Sequence, residues 1–218
     1  MRYPALKFLI GAFAALLFVT LLGGRAVEAH PHVWVTATSE LLYAADGSLT
    51  GVRHAWTFDD MFSSNALQGI KAKTQGVYTR EELQPLAQTN VEALKEYVYF
   101  TFLKANGGKH TLEVPVDYFF DYKDDHLTLH FTLPLKMPVK SKMFLLEIVD
   151  RSYFIDFKMA EKDPVKLVDA PAGCRASILR PMGDRTMVQG LSEDSFKEGG
   201  ANVSLGLLFD NQIVVDCP

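Results

Sequence analysis

The sequence has little cysteine, and after Leu22 it has no long hydrophobic run. Its only two cysteines, Cys174 and Cys217, are far apart in the chain. Structural zinc sites use closely spaced Cys-x-x-Cys pairs, so this spacing argues against a cysteine-based zinc site. No stretch after Leu22 is long and apolar enough to cross a bilayer. We therefore expect no transmembrane segment in the mature chain.

The sequence also lacks the common fingerprints of catalysis. It contains no Gly-x-Ser-x-Gly elbow, no P-loop and no dinucleotide-binding glycine motif. Its 22 basic residues are outnumbered by 26 acidic ones, which gives a net charge of −4. A nucleic-acid-binding surface requires a basic stripe, and none is visible. We expect neither an enzyme nor a nucleic-acid-binding protein.

The first 29 residues have the order of a secretory signal peptide. Arg2 and Lys7 form a basic start, and residues 8–22 form an uncharged apolar run. Residues 27–29 (Val-Glu-Ala) offer small or moderate side chains at positions −3 and −1 of a cut. A spanning helix needs about 20 apolar residues, and this run has about 15. The pattern predicts a cleavable signal peptide over residues 1–29, and a membrane anchor is the less favoured alternative.

Export has two consequences for the remaining chain. Residues 30–218 have the length of one domain, which we expect to be periplasmic. Both cysteines then lie in an oxidising compartment, and an even count there favours a disulfide between Cys174 and Cys217. This bond would tie the end of the chain to the segment after Pro171. Its expected stabilisation is roughly 3–5 kcal/mol.

Residue patterning predicts an α+β fold that is mainly antiparallel β, either a sandwich or a hairpin-built sheet. Runs of β-branched and aromatic residues flank short polar turns, which is the pattern of β-hairpins. One substantial helix would pack on this sheet. The predicted hairpin turns are 45–48, 123–125, 150–152 and 210–211.

The single long helix is predicted over about residues 79–105. Thr79 and Glu82 have the spacing of a capping box. Apolar residues then recur at helical spacing, and Gly107 follows where helices commonly end. Pro85 falls in the second turn, so the start of the helix could be kinked or displaced. The apolar positions are Leu83, Leu86, Ala87, Val91, Leu94, Val98 and Phe102.

The sharpest chemical feature is the sequence His30-Pro31-His32, directly after the predicted cut. If His30 is the first residue, its amine and its ring Nδ1 can chelate one metal, and a second imidazole completes a histidine brace. Pro31 has no N–H, so a chelate through deprotonated backbone amides is blocked. A cut after Ala26 would remove the free amine. Two solvated histidines beside a terminus are the ordinary alternative.

The hairpin that follows could supply carboxylates to these histidines. A three-residue turn with a left-handed Gly47 places His32 opposite Asp60. A two-residue turn shifts the register by one and places Trp34 opposite Asp59. Either aspartate could ligate a metal or orient a ligating histidine. The alternative is that an aspartate caps the turn that follows the strand.

The remaining candidates carry weaker signals. Asp156 is a single charge in an aromatic strand, so it is either an exposed position or a functional carboxylate. His126 and His130 share one face of a strand, but about 13 Å separates them, too far to chelate one ion. Either could still join the first cluster in space. His54 is expected to be packed or on the surface rather than ligating.

Five features follow the predicted signal in this order: His30-Pro31-His32-Val33-Trp34, Trp56-Thr57-Phe58-Asp59, Tyr99-Phe100-Thr101, Tyr153-Phe154-Ile155-Asp156 and the two late cysteines. Together they resemble domain-of-unknown-function family 1007. Its members are described as periplasmic components of uncharacterised ABC-type transport systems, encoded near nickel/cobalt-efflux-type permeases and zinc-uptake systems. The resemblance covers nearly the whole mature chain, and its start is the most specific part.

The resemblance implies a nickel, cobalt or zinc context and an inner-membrane metal permease as partner. Together with the copper of the histidine brace, the candidate cofactors are zinc, nickel, cobalt and copper ions. The leading hypothesis is a periplasmic metal-binding accessory protein of a metal transport system. Two alternatives remain open: a copper histidine-brace redox protein, and a structural or docking subunit of a membrane permease without metal. The candidate ligands are His30, His32, Asp59, Asp60 and Asp156.

Overall fold

The computed structural model describes residues 31–74, 76–152, 154–179 and 211–218. The predicted signal peptide, His30 and the chain that leads into the predicted hairpin turn at 210–211 lie outside these ranges. In chain order the elements are β1 (Val33–Tyr43), β2 (Leu49–Phe58), α1 (Asp60–Ala66), α2 (Arg80–Leu94), β3 (Thr101–Ala105), β4 (Gly108–His110), β5 (Val116–Lys123), β6 (His126–Val139), β7 (Met143–Ile148), β8 (Ile155–Met159), β9 (Val165–Val168), β10 (Arg175–Leu179) and β11 (Asn211–Asp216).

The strands form two sheets, and the expectation of a mainly β fold is confirmed. The first sheet has the order β5-β6-β2-β1-β8, with β9 also paired to β1. The second has the order β10-β11-β7-β3-β4. Most pairs are antiparallel, but β8 and β9 both run parallel to β1. In the first sheet β1 therefore has neighbours on both of its edges.

Alternating side chains from both sheets form one hydrophobic core. Along β1, and along β6 as far as Leu135, every second residue is buried, as expected for strands with one face on a core. Trp56 is in the centre, with its ring 4.8 Å from that of Phe131 and 4.7 Å from that of Phe157. The rings of Tyr43 and Phe144 meet edge to face across the two sheets at 6.1 Å.

The first hairpin combines the two registers that its sequence allowed. Next to the turn, Tyr43 pairs with Leu49, and Gly47 has a φ of +81°, as the three-residue turn requires. A bulge between Leu42 and Tyr43 then shifts the register by one. Beyond the bulge the pairing is that of the two-residue turn, so Trp34 comes opposite Asp59.

The prediction of one long helix over 79–105 is wrong in its second half. The capping box of Thr79 and Glu82 is present, and α2 extends for 15 residues to Leu94. A 3₁₀ segment, Lys95–Phe100, follows, and β3 begins at Thr101. The helical spacing of Val98 and Phe102 is coincidental, because burial in β3 alternates with a period of two.

The change from helix to strand requires an unusual backbone. Val98, Tyr99 and Phe100 all have φ near +50°. Such left-handed conformations cost roughly 1–2 kcal/mol for each L-residue, so the surrounding contacts must hold them in place. Burial of Tyr99 and Phe100 contributes, and the exposed Val98 forms the tip of the turn. No sequence pattern predicts this turn.

The hairpin predicted around Lys123-Asp124-Asp125 is confirmed, because β5 and β6 pair on either side of it. The hairpin predicted around residues 150–152 is wrong: β7 belongs to the second sheet and β8 to the first. The buried Asp150 explains the difference. Its carboxylate accepts hydrogen bonds from the backbone N–H of Ser152 at 2.8 Å and of Ile155 at 2.9 Å. These bonds shape a connection that takes the chain from the second sheet to the first, where a hairpin would have returned it along the same sheet.

A buried chain of polar groups joins the two sheets through His54. Ser39 Oγ lies 2.9 Å from His54 Nδ1, and Thr101 Oγ1 lies 3.2 Å from Nε2. Thr101 donates in turn to the Tyr99 carbonyl oxygen at 2.8 Å. One neutral tautomer satisfies every group: Ser39 donates to Nδ1, and Nε2–H donates to Thr101. His54 is therefore a packed core residue, as its sequence context favours.

The disulfide between Cys174 and Cys217 is present, which confirms the predicted pairing. It joins the residue before β10 to the residue after β11, 43 positions later in the chain. None of the helices in the described ranges has the length and apolar character that a membrane span requires.

Loss of this disulfide should destabilise the protein strongly. Closing a loop of this length stabilises the folded state by about 4 kcal/mol through chain entropy. We expect the double variant Cys174→Ser/Cys217→Ser to lose about that much free energy of unfolding in urea. The reduced wild type should behave like the double variant. Equal stability of the oxidised and reduced wild type would contradict this expectation.

Stability should also fall in acid because of His54. Burial lowers the pKa of His54 to about 3, against an ordinary value near 6.5. Between these two pH values the unfolded chain binds a proton that the folded chain does not, so falling pH favours unfolding. Compared with His54→Gln, the wild type should lose about 1.4 kcal/mol per pH unit between pH 6 and pH 4. Urea unfolding over a pH series measures this difference, and a constant difference would refute the assignment.

Candidate metal centre

The predicted site residues lie mostly at one end of the first sheet. Because β1 is antiparallel to β2, the start of β1 lies beside the end of β2. β6 is antiparallel to β2 and β8 is parallel to β1, so both of these strands begin at the same end. The sheet thus brings four segments of distant sequence together there. We call this region the sheet end: the start of β1, the end of β2 with α1, the start of β6 and the start of β8.

His32 is exposed, immediately before β1. Its backbone N–H donates to the carbonyl oxygen of Phe154 at 2.9 Å, and the two rings are 5.0 Å apart. The segment that precedes β8 therefore fixes the backbone of His32. His30 is outside the described residues.

Asp59 acts as a structural cap. Its Oδ1 accepts from the backbone N–H of Phe62 at 2.9 Å, which makes it the N-cap of α1. Its Oδ2 accepts from the backbone N–H of Trp34 at 2.8 Å. The carboxylate thus joins the end of β2, the start of β1 and the first turn of α1. This is the capping role that the sequence left open as an alternative.

Asp60 pairs with a histidine that the sequence ranked low. Its Oδ1 lies 2.7 Å from Nε2 of His126, the first residue of β6. Ser63 of α1 accepts a hydrogen bond from the backbone N–H of Leu127 at 3.0 Å and so fixes the helix against β6. Asp60 and His126 therefore meet because α1 packs on the start of this strand. The only sequence feature that could have indicated this pair is a histidine next to the turn at 123–125.

The ring of His126 faces two hydrogen-bond acceptors. Its Nδ1 is 2.6 Å from the backbone carbonyl of Asp124, and its Nε2 faces Asp60. A neutral imidazole has one N–H and can donate to only one of them. The other contact needs a second proton or a cation at Nε2. An Nδ1–H bonded to a backbone carbonyl, with Nε2 directed outwards, is the usual orientation of metal-binding histidines.

Asp156 lies on the other side of β1, where it pairs in register with Trp34. Its alternation in β8 puts it on the outer face of the sheet, beside a groove of about 430 Å³. Asp59, His126 and the half-exposed Trp34 line the same groove. The structure therefore brings Asp156 and His126 to one groove, although β2 and β1 lie between their strands.

The remaining histidines lie elsewhere. His130 stacks on Phe119 at 4.7 Å and lies 3.4 Å from Asp121, while the Arg80 guanidinium covers Phe119. Burial lowers the pKa of His130; the Asp121 carboxylate opposes this shift and Arg80 adds to it. This cluster attaches α2 to β5. His110 is on the second sheet, near the Ala105 carbonyl.

No three His, Cys, Asp or Glu side chains of the described ranges converge on one point. Of the predicted ligands, Asp59 is held by its capping bonds and Asp60 is paired with His126. His32 precedes Trp34 by two residues in the chain, and Asp156 is paired with Trp34 on the neighbouring strand.

Substitutions of Asp59 distinguish a capping role of this residue from a role as metal ligand. Asp59→Asn keeps an oxygen for Phe62 but loses the acceptor for Trp34, so it should cost about 1 kcal/mol. Asp59→Ala loses both bonds and should cost about 2 kcal/mol. We expect Asp59→Asn to retain bound metal at the wild-type level. Urea unfolding and metal analysis test this, and unchanged stability with lost metal would identify Asp59 as a ligand instead.

Comparison with known proteins assigns the chain to a family. The model of a family described as "Protein of unknown function (DUF1007)" matches residues 15–217. An "Uncharacterized protein" of Haemophilus influenzae is 24% identical over 204 residues, which cover 88% of this chain and 92% of that protein. The family match spans both sheets and every described residue of the sheet end. The chain therefore belongs to the DUF1007 family of proteins of unknown function.

Proposed function

We propose that this protein is a periplasmic, transition-metal-binding accessory protein of a metal transport system. The sheet end would carry the metal, with His30 and His32 as its main ligands. Asp60, His126 and Asp156 would complete or orient the ligand set, and Asp59 would hold the backbone. Zinc, nickel, cobalt and copper all accept imidazole ligands.

The observation that supports this proposal is the placement of β1 between β2 and β8. His32 stands at the start of this interior strand, and both neighbouring strands have aspartates at the same end. Asp156 on β8 is in register with Trp34, two residues after His32, and Asp60 lies on the other side of β2, against His126 of β6. Imidazoles and carboxylates are typical ligands of divalent transition metals, and both kinds of side chain occur at this end of the sheet.

The contacts of His126 support the same reading. The Asp124 carbonyl fixes its ring, and its Nε2 faces a carboxylate where a cation would relieve the unmatched contact. For this pair to bind one ion, the two atoms would separate by a few tenths of an ångström from 2.7 Å. Both side chains are exposed enough for that adjustment.

An accessory role fits the exposure of the site better than storage in a closed cage. His32 and Asp60 are exposed, so a metal held there remains accessible to a partner. Trp34, Met61 and Phe154 are exposed apolar side chains around the same end. They would contact the inner-membrane permease that receives or supplies the metal. The disulfide supports an oxidising, extracytoplasmic location.

Removal of the two amino-terminal histidines should abolish stoichiometric metal binding. We expect the wild type, after exposure to zinc, nickel, cobalt or copper, to carry about one ion per chain, and His30→Ala/His32→Ala to carry almost none, since the remaining ligands bind weakly. Native mass spectrometry of the exported protein reads the metal and the amino terminus together.

His110→Ala is the matched control, because His110 lies on the second sheet away from the sheet end. It should bind metal like the wild type. Unchanged metal content in the double variant would refute the proposed ligands. A mature start at Val27 would exclude the amine of His30 as a ligand and leave the two imidazoles.

A further inference from the structure

We propose that the groove beside the sheet end binds a short, neutral saccharide chain. This site needs no metal and does not rest on the proposed function, since neither His32 nor Asp60 lines the groove. Four features of the groove support a saccharide as its ligand: its length across the sheet, an exposed tryptophan ring, a row of hydroxyl groups and a nearly balanced set of charges.

The groove runs across the strands on the outer face of the first sheet. Its lining comes from β8, β1, β2 and β6, which are four neighbouring strands. Adjacent strands lie about 4.8 Å apart, so the lining extends over about 14 Å. The volume is about 430 Å³, and clefts that bind small organic ligands have about 300–1,000 Å³. A groove of this length suits an extended ligand, such as a chain of a few sugar rings.

Trp34 gives the groove an aromatic platform. It lies on β1, on the outer face of the sheet, and is 43% exposed. Its backbone N–H donates to Asp59, and β1 is paired on both of its edges, so the backbone that carries the ring is fixed. An exposed aromatic ring offers a large apolar surface for stacking. The C–H face of a sugar ring is an apolar surface of matching shape.

A row of hydroxyl groups lies beside this ring. Thr36, Thr57 and Thr128 are in register on three neighbouring strands, and all three line the groove. The hydroxyls of Thr57 and Thr128 are 2.9 Å apart, and their mutual bond uses one of their two protons. A hydroxyl both donates and accepts, as sugar hydroxyls do. A carboxylate only accepts and an ammonium only donates, so either ion would use half of what this row offers.

The charges that line the groove nearly balance. Asp156 and Lys158 lie on β8 at one end, and Lys123 and Asp124 lie beside the start of β6 at the other. The remaining carboxylate, Asp59, accepts two backbone hydrogen bonds. Because the two lysines are largely exposed, their attraction for an ion is weak and screened by salt. Both kinds of charged group form hydrogen bonds with hydroxyls, so the groove favours a neutral polyol over an ion.

The test uses the neutral disaccharides N,N′-diacetylchitobiose, cellobiose and maltose as probes, with digalacturonate as the charged counterpart. Ligand-observed NMR on the exported protein, with EDTA present, measures binding. We expect at least one neutral disaccharide to bind with a dissociation constant of about 1 mM or below, unaffected by added salt. Its C–H protons should shift upfield in the ring current of Trp34, because the other tryptophan, Trp56, is buried in the core.

Three variants and one control locate the effect. Trp34→Ala should weaken binding at least about tenfold and abolish the upfield shift, whereas Trp34→Tyr keeps a ring and most of the affinity. Thr57→Val removes one hydroxyl at nearly constant volume and should weaken binding roughly two- to tenfold. Thr132→Val is the matched control, since Thr132 shares the outer face of β6 but lies outside the groove. It should bind like the wild type.

The opposite results would overturn the proposal. If no neutral disaccharide binds at concentrations up to about 10 mM, the groove is not a saccharide site. If only digalacturonate binds and salt abolishes its binding, the groove selects charge. An equal loss of affinity in Thr132→Val would place the effect outside the groove. Thr57→Val and Trp34→Tyr keep the test decisive if Trp34→Ala does not fold.

Discussion

The pairing of β1 on both of its edges is the constraint on which the sheet end depends. β2 pairs with β1 in antiparallel fashion through a hairpin, whereas β8 and β9 reach it from far along the chain and pair in parallel. Only this mixed arrangement puts the end of β2 and the start of β8 on either side of the first residues of β1. A meander of hairpins would have placed Asp156 in a different sheet. The parallel pairing thus puts Asp156 beside Trp34, two residues after His32.

The core contains a second constraint, the polar chain through His54. It is one buried polar link between the two sheets, from Ser39 on β1 to Thr101 at the start of β3. Through Thr101 it also reaches the carbonyl of Tyr99, within the left-handed turn. A turn with three residues near φ +50° is costly, and this chain together with the burial of Tyr99 and Phe100 helps to hold it. The neutral form of His54 satisfies all of these groups at once.

Local features were the ones that the sequence could predict. The capping box at Thr79 and Glu82, the left-handed Gly47 and the hairpin at 123–125 depend on residues close in the chain, and all three are present. The sequence predicts too long a helix because Val98 and Phe102 fit a helical spacing by chance. The sequence predicts a hairpin where the chain crosses between sheets after β7. The hydrogen bonds from the backbone to the buried Asp150, which shape this crossing, are visible only in three dimensions. Long-range parallel pairing leaves no local signal at all.

The candidate site shows the same division. The His30-Pro31-His32 motif and the hairpin after it pointed to Asp59 and Asp60, and a lone charge in an aromatic strand pointed to Asp156. None of these patterns could distinguish a cap from a ligand. The structure gives Asp59 two backbone hydrogen bonds and brings His126 to Asp60 through the packing of α1 on β6. A carboxylate engaged in capping keeps the strand ends in place whether or not metal is bound. The exposed groups beside it remain able to exchange a ligand, and a rigid frame with accessible ligands is what transfer to a partner requires.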